Sequence, residues 1–93
     1  MNKVALVTGA SRGIGRAIAI ALAEYDFSVA CFARDQAKLD ETAALITAAG
    51  GKASVHTGDV SSDEDLQALV EEVSALHGGI DVLVNNAGIT EGA

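Results

Sequence analysis

The sequence predicts an α/β domain built on a doubly wound parallel sheet. Three observations carry that expectation. Four short apolar runs alternate with three longer segments of helical period across the 93 residues. Val4 to Thr8 is continuous, short and β-branched, and Val82 to Val84 is apolar throughout, as strands covered on both faces are. Each strand-to-strand connection is long enough to hold a helix, which parallel pairing with right-handed crossovers requires.

Taken in order, Val4 to Thr8 reads as the first strand. Ile14, Ala17, Ile18, Ala21, Leu22 and Tyr25 then fall at helical spacing and predict the buried face of a first helix. About Ser28 to Ala33 forms the second strand. Asp35 is placed to cap a second helix, with Leu39, Ala43 and Ile46 inward, until Gly50-Gly51 stops it. About Ala53 to Thr57 is the third strand. Ser61 with Glu64 fits a capping box for a third helix, whose first turn carries Asp63, Glu64 and Asp65. Leu66, Leu69, Val70, Val73 and Leu76 predict its apolar stripe, and Gly78-Gly79 its end. Val82 to Val84 is the fourth strand, followed by Asn85-Asn86-Ala87-Gly88.

Composition narrows the function. The chain is 49% hydrophobic, 20% charged and only 3% aromatic, with no proline. That describes a globular domain without a base-stacking surface. Thirteen acidic and six basic residues give a net charge of −7, which repels a phosphate backbone, so no nucleic-acid partner is expected. The single cysteine, Cys31, excludes an internal disulfide and a cysteine-based zinc site. No apolar run approaches a membrane span or a signal-peptide core, so a cytoplasmic location is expected. His56 falls mid-strand and His77 at a helix end, and neither has partners at ligand spacing, so no metal site is expected.

The chemistry lies in the loop Thr8-Gly9-Ala10-Ser11-Arg12-Gly13-Ile14-Gly15. Gly9 permits a tight turn off the strand, Gly13 lets a ligand approach the backbone, and Gly15 brings the helix close to the sheet. The helix N-terminus behind it offers free N–H groups and partial positive charge, which suits a pyrophosphate. The end of the second strand offers a second clue. A carboxylate there accepts from a ribose 2′-hydroxyl in NAD-binding folds. Here Ala33 is followed by Arg34, whose guanidinium suits a 2′-phosphate, and Arg12 can reach the same group. Three of the six basic residues, Arg12, Arg16 and Arg34, fall at or near this pocket. The expected cofactor is NADP (NADPH).

The spacing T-G-x-x-x-G-x-G, with Arg34, Asp59-Val60 and Asn85-Asn86-Ala87-Gly88 in order, resembles the short-chain dehydrogenase/reductase family. Ala5 to Ile18 and Asn85 to Thr90 look most like its 3-oxoacyl-[acyl-carrier-protein] reductases. The resemblance implies a partial Rossmann-type sheet of order 3-2-1-4, with residues 1–93 as the N-terminal part of an NAD(P)-binding domain. By resemblance, Gly9, Ser11, Arg12, Gly13, Ile14 and Gly15 would wrap the pyrophosphate and adenine ribose. Asp59 would hold the adenine amino group with the Val60 backbone beside it, and Asn86, Ala87 and Gly88 would lie along the nicotinamide ribose.

The same resemblance implies a NADP-dependent oxidoreductase that reduces a carbonyl, such as a 3-oxoacyl thioester in fatty acid biosynthesis. Family chemistry needs a serine and a Tyr-x-x-x-Lys pair. The only tyrosine is Tyr25, and position 29 is Val29. No catalytic residue is therefore expected within these 93 residues, nor turnover of a carbonyl or acyl-carrier substrate by them alone. A bare fourth strand leads us to expect self-association or a partner segment that completes the sheet. The alternative is a non-catalytic nucleotide-binding module or half-domain.

Overall fold

A computed structural model describes residues 3–86. Seven elements alternate as β1 (Lys3–Thr8), α1 (Gly13–Glu24), β2 (Phe27–Ala33), α2 (Gln36–Ala48), β3 (Lys52–Thr57), α3 (Asp63–His77) and β4 (Val82–Asn85). All strands are parallel, in the order β3-β2-β1-β4. This is the expected doubly wound arrangement, and each strand boundary lies within about a residue or two of its sequence reading.

Two cores sit on opposite faces of the sheet. On one, Val7, Val29 and Cys31 pack with Ala19, Leu39 and Ile46 of α1 and α2. On the other, Val4, Leu6, Ala30 and Phe32 pack with Leu69 and Val73 of α3. β1 and β2 are covered on both faces, whereas β4 alternates and leaves Leu83 62% exposed. Burial pushes the Cys31 thiol up to about 11, as befits a small apolar core residue. Entry to β4 is pinned by a reciprocal pair: the Val4 N–H donates to Asp81 Oδ2 (2.7 Å) and the Asp81 N–H to the Val4 carbonyl (2.8 Å).

Three readings of side-chain placement need correction. The buried face of α1 is Gly15 and Ala19, while Ile14 is half exposed and Tyr25 is exposed at the helix end. Close approach of α1 to the sheet selects small residues, so the larger apolar ones were the wrong guide. In α3, Val70 and Leu76 face outward beside Leu69 and Val73, which are buried. The cap of α3 is Ser62, whose Oγ accepts from the Asp65 N–H (3.2 Å), because Ser61 is held by Asp59 instead. Asp35 caps α2 as expected, accepting from the Lys38 N–H.

The histidines also meet. Ser54 Oγ lies 2.8 Å from His56 Nε2 and 3.0 Å from His77 Nε2, and His56 Nδ1 lies 2.9 Å from Glu72 Oε1. This chain ties β3 to the end of α3. Desolvation, followed by the charge of His56, holds the His77 pKa below its ordinary value.

Candidate nucleotide-binding site

Parallel pairing brings the carboxyl ends of all four strands to one edge of the sheet, where ligands of doubly wound folds bind. A cleft of about 510 Å³ opens there, lined by the glycine loop, the β2–α2 turn, the β3–α3 turn and Asn86. It contains seven of the sequence-derived residues: Gly9, Ser11, Arg12, Arg34, Asp59, Val60 and Asn86.

The glycine loop takes its shape from backbone geometry. Gly9 (φ 65°) and Gly13 (φ 58°) adopt left-handed conformations that side chains disfavour. Gly13 begins α1, so the unpaired N–H groups of its first turn lie just behind the loop. Gly15 is set back from the cleft, and a Cβ there would collide with the Gly9 carbonyl and lie 2.7 Å from Asn86 Nδ2. The loop is tied to β2 by the Ala10 N–H, which donates to the Phe32 carbonyl (3.2 Å). Ile14 is half exposed and, like Gly13 and Gly15, does not line the cleft. Ala87 and Gly88 lie outside the described residues.

Asp59 is built into its turn. Its Oδ1 accepts from both the N–H (2.9 Å) and the hydroxyl (2.8 Å) of Ser61, and its own N–H donates to Asp65 Oδ2 (2.8 Å). Those two Ser61 bonds, with a smaller contribution from Arg34, hold the carboxyl below the usual aspartate range. Arg34 is exposed and stands 3.9 Å from Asp59 Oδ2. A loose, solvated pair of this kind contributes little, so the guanidinium is available to a ligand anion.

Asn86 is 5% exposed. Its Nδ2 donates to the Gly9 carbonyl (3.3 Å), but its Oδ1 is buried with no partner among the described residues. Buried acceptors are seldom left unpaired, and this one belongs to a residue that lines the cleft. Asn85 is structural: its Oδ1 accepts from Thr8 Oγ1 (3.2 Å).

Two features escaped the sequence reading. Lys38, in the first turn of α2, lines the cleft with Arg12 and Arg34, whereas Arg16 turns away to Thr42, Ser11, Lys38 and Glu41. Gly58 also lines the wall, and a Cβ there would press on the Phe32 ring at 2.9 Å. Lys38 lies in the first turn that Asp35 caps, three residues after the cap, a signal that could have suggested its place near Arg34. Arg12, Arg34 and Lys38 thus all line the cleft, and the one acid among its β2–α2 residues, Asp35, is engaged in capping. These groups suit a phosphorylated ligand, since cations and a buried acceptor line the cleft and the N–H groups of the first turn of α1 lie just behind its glycine loop.

Comparison with known proteins agrees with this geometry. Residues 3–93 match the family model for short chain dehydrogenases. The chain is 43% identical to the short-chain dehydrogenase/reductase homolog YusS of Bacillus subtilis, over 97% of this chain and 84% of that protein. It is 45% identical to the 3-oxoacyl-[acyl-carrier-protein] reductase FabG of Staphylococcus epidermidis, over 98% of this chain and 38% of FabG. A crystal structure of a metagenomic short-chain oxidoreductase in complex with NADP superposes with a TM-score of 0.89 at 49% identity, over 94% of this chain and 39% of the other. The chain therefore spans less than half the length of that reductase and of FabG. With the glycine loop, the strand order and the family model in agreement, this chain belongs to the short-chain dehydrogenase family.

Proposed function

We propose that residues 1–93 form the N-terminal part of an NAD(P)-binding domain, and that this part binds NADP(H) for a cytoplasmic oxidoreductase. The whole protein would reduce a carbonyl by hydride transfer, with a 3-oxoacyl thioester as the substrate class suggested by the likeness to FabG. One observation carries the cofactor choice: the cleft places Arg12, Arg34 and Lys38 together where β2 ends in Ala33 rather than in a carboxylate. Among the described residues no helix is long and apolar enough to cross a membrane.

In this reading the first turn of α1 and the loop N–H groups hold the pyrophosphate, and Gly9 and Gly13 keep the backbone clear for it. Ser11, Arg12 and the backbone through Ile14 and Gly15 follow the adenine ribose. Asp59, kept ionised by Ser61, accepts from the adenine amino group with Val60 beside it. Asn86, followed by Ala87 and Gly88, meets the nicotinamide ribose, which gives its lone Oδ1 a donor. Bound NADPH supplies the hydride. No residue of this segment is assigned to proton transfer, so the segment alone would bind cofactor without turnover.

A second reading is favoured by one observation. Leu6, Leu66, Leu69, Val70, Ile80 and Leu83 border an apolar groove of about 460 Å³ between α3 and the open β4 edge. Such an edge invites pairing, so the segment would act by joining a further strand, from a second copy or a partner segment. The test is titration with NADP and NAD before and after Arg34→Ala. Loss of one charge-assisted contact lowers the NADP-to-NAD affinity ratio by about tenfold or more. An unchanged ratio overturns the 2′-phosphate assignment.

A further inference from the structure

The walls of the cleft are held in register by two residues that do not line it. Arg16, in the second turn of α1, sends Nε to Thr42 Oγ1 (2.8 Å) and Nη2 to the Ser11 carbonyl (2.7 Å). The same Nη2 reaches the Lys38 carbonyl (3.1 Å) and Glu41 Oε1 (3.2 Å) on α2. Thr42 is fully buried, and its hydroxyl donates to the Ala10 carbonyl (2.8 Å). The alternative acceptor, the Lys38 carbonyl, is longer at 3.3 Å, so the single hydroxyl proton favours the loop. Two successive loop carbonyls, Ala10 and Ser11, are thereby fixed to α2, the first through Thr42 and the second through Arg16.

We propose that Arg16 and Thr42 are positioning residues that set the separation of the glycine loop from α2, and through it the preference for a ribose 2′-phosphate over a 2′-hydroxyl. The inference rests on the NADP reading above. Cations from two different elements, Arg12 on the loop before α1 and Lys38 on α2, both line the cleft with Arg34 and serve one phosphate only at the right spacing. Charge-assisted bonds are directional and short, so a small widening loses one wall's contact. A 2′-hydroxyl draws on neither wall's charge to the same degree. The clamp therefore bears on NADP more than on NAD, although neither of its side chains touches the nucleotide.

The test uses the whole chain and three proteins: wild type, Thr42→Val and Arg16→Lys. Thr42→Val keeps shape and every charge, so a change in binding cannot come from through-space electrostatics. Titration with NADP and NAD should show the affinity ratio falling about five- to tenfold in Thr42→Val. Arg16→Lys keeps the charge but replaces the fork by a single ammonium, and should fall between. Hydrogen exchange without nucleotide should quicken at the amides of residues 9–13 in Thr42→Val while β1 and β2 keep their protection. An unchanged ratio in a Thr42→Val protein that binds NADP overturns the clamp and leaves the cofactor reading standing. Unchanged loop exchange overturns the clamp whatever the ligand. A wild type that binds neither nucleotide overturns the NADP reading and the specificity claim with it.

Discussion

Replacing Gly15 by alanine puts a methyl group where the turn from β1 into α1 has no room. The new Cβ would overlap the Gly9 carbonyl oxygen and lie 2.7 Å from both the Gly9 carbonyl carbon and Asn86 Nδ2. Carbon contacts are comfortable at about 3.5–4.0 Å, so α1 must withdraw or Asn86 must let go of the Gly9 carbonyl. Two of the three obstructing atoms are backbone and cannot rotate aside. Overpacking costs about 1–3 kcal/mol, and an unyielding neighbour puts this case near the upper end. Alanine regains about 0.5–1 kcal/mol of helix preference over glycine, for a net loss of about 2 kcal/mol. For a domain of this size that lowers Tm by about 8–16 °C. Far-UV circular dichroism on heating reads the first effect, and NADP titration the second, which is weakened binding as Asn86 moves. Gly50→Ala is the comparison: nothing lies within 4 Å of its Cβ, but φ is 89°. It should lose stability through strain, about 1–2 kcal/mol, and keep its NADP affinity. A Gly15→Ala protein with wild-type Tm and wild-type affinity would refute the close-packing argument.

Other expectations follow from particular contacts. Ser62→Ala removes the α3 cap and should cost about 1 kcal/mol in denaturant unfolding, without altering the Asp59 pKa. Ser61→Ala removes the hydroxyl bond to Asp59 but keeps the stronger influence, the backbone N–H of residue 61, so the carboxyl should titrate at higher pH by NMR while staying below the ordinary aspartate value. For pH dependence, His77 has a folded pKa below its ordinary 6.5, so the folded state binds a proton less readily than the unfolded chain. With both states neutral at higher pH the effect is absent, and stability is lost as pH falls through about 6.5 toward the lower folded value. Tm should therefore fall between about pH 7.5 and pH 5.5, and less steeply in His77→Asn; equal slopes would contradict the desolvation of His77 at the end of α3.

Much of the fold was legible because it rests on short-range signals: continuous apolar strands, the Asp35 cap, and glycines at the turns. The site was legible for the same reason, since the glycine loop, Arg34, Asp59 and Asn86 each follow directly on a strand and parallel strands bring those ends together. What escaped depends on how helices sit. Arg16 falls at or near the pocket in sequence, but its partner Thr42 lies 26 residues away, on a face of α2 that only the packed structure defines. Lys38 took the place assigned to Arg16 for the same reason. The inward face of α1 was misjudged because hydrophobicity points to Ile14 and Tyr25, whereas close packing demanded Gly15 and Ala19. Ser54, His56, Glu72 and His77 are each unremarkable in sequence, and only the register of α3 against β3 unites them.

The central claim is that the cleft bearing Arg12, Arg34 and Lys38 reads a 2′-phosphate. Isothermal titration of the wild-type chain with NADP and with NAD in the same buffer tests it most directly. The account predicts NADP binding tighter by about tenfold or more, with the difference shrinking as salt is raised. Equal affinity for the two, or tighter binding of NAD, would contradict it.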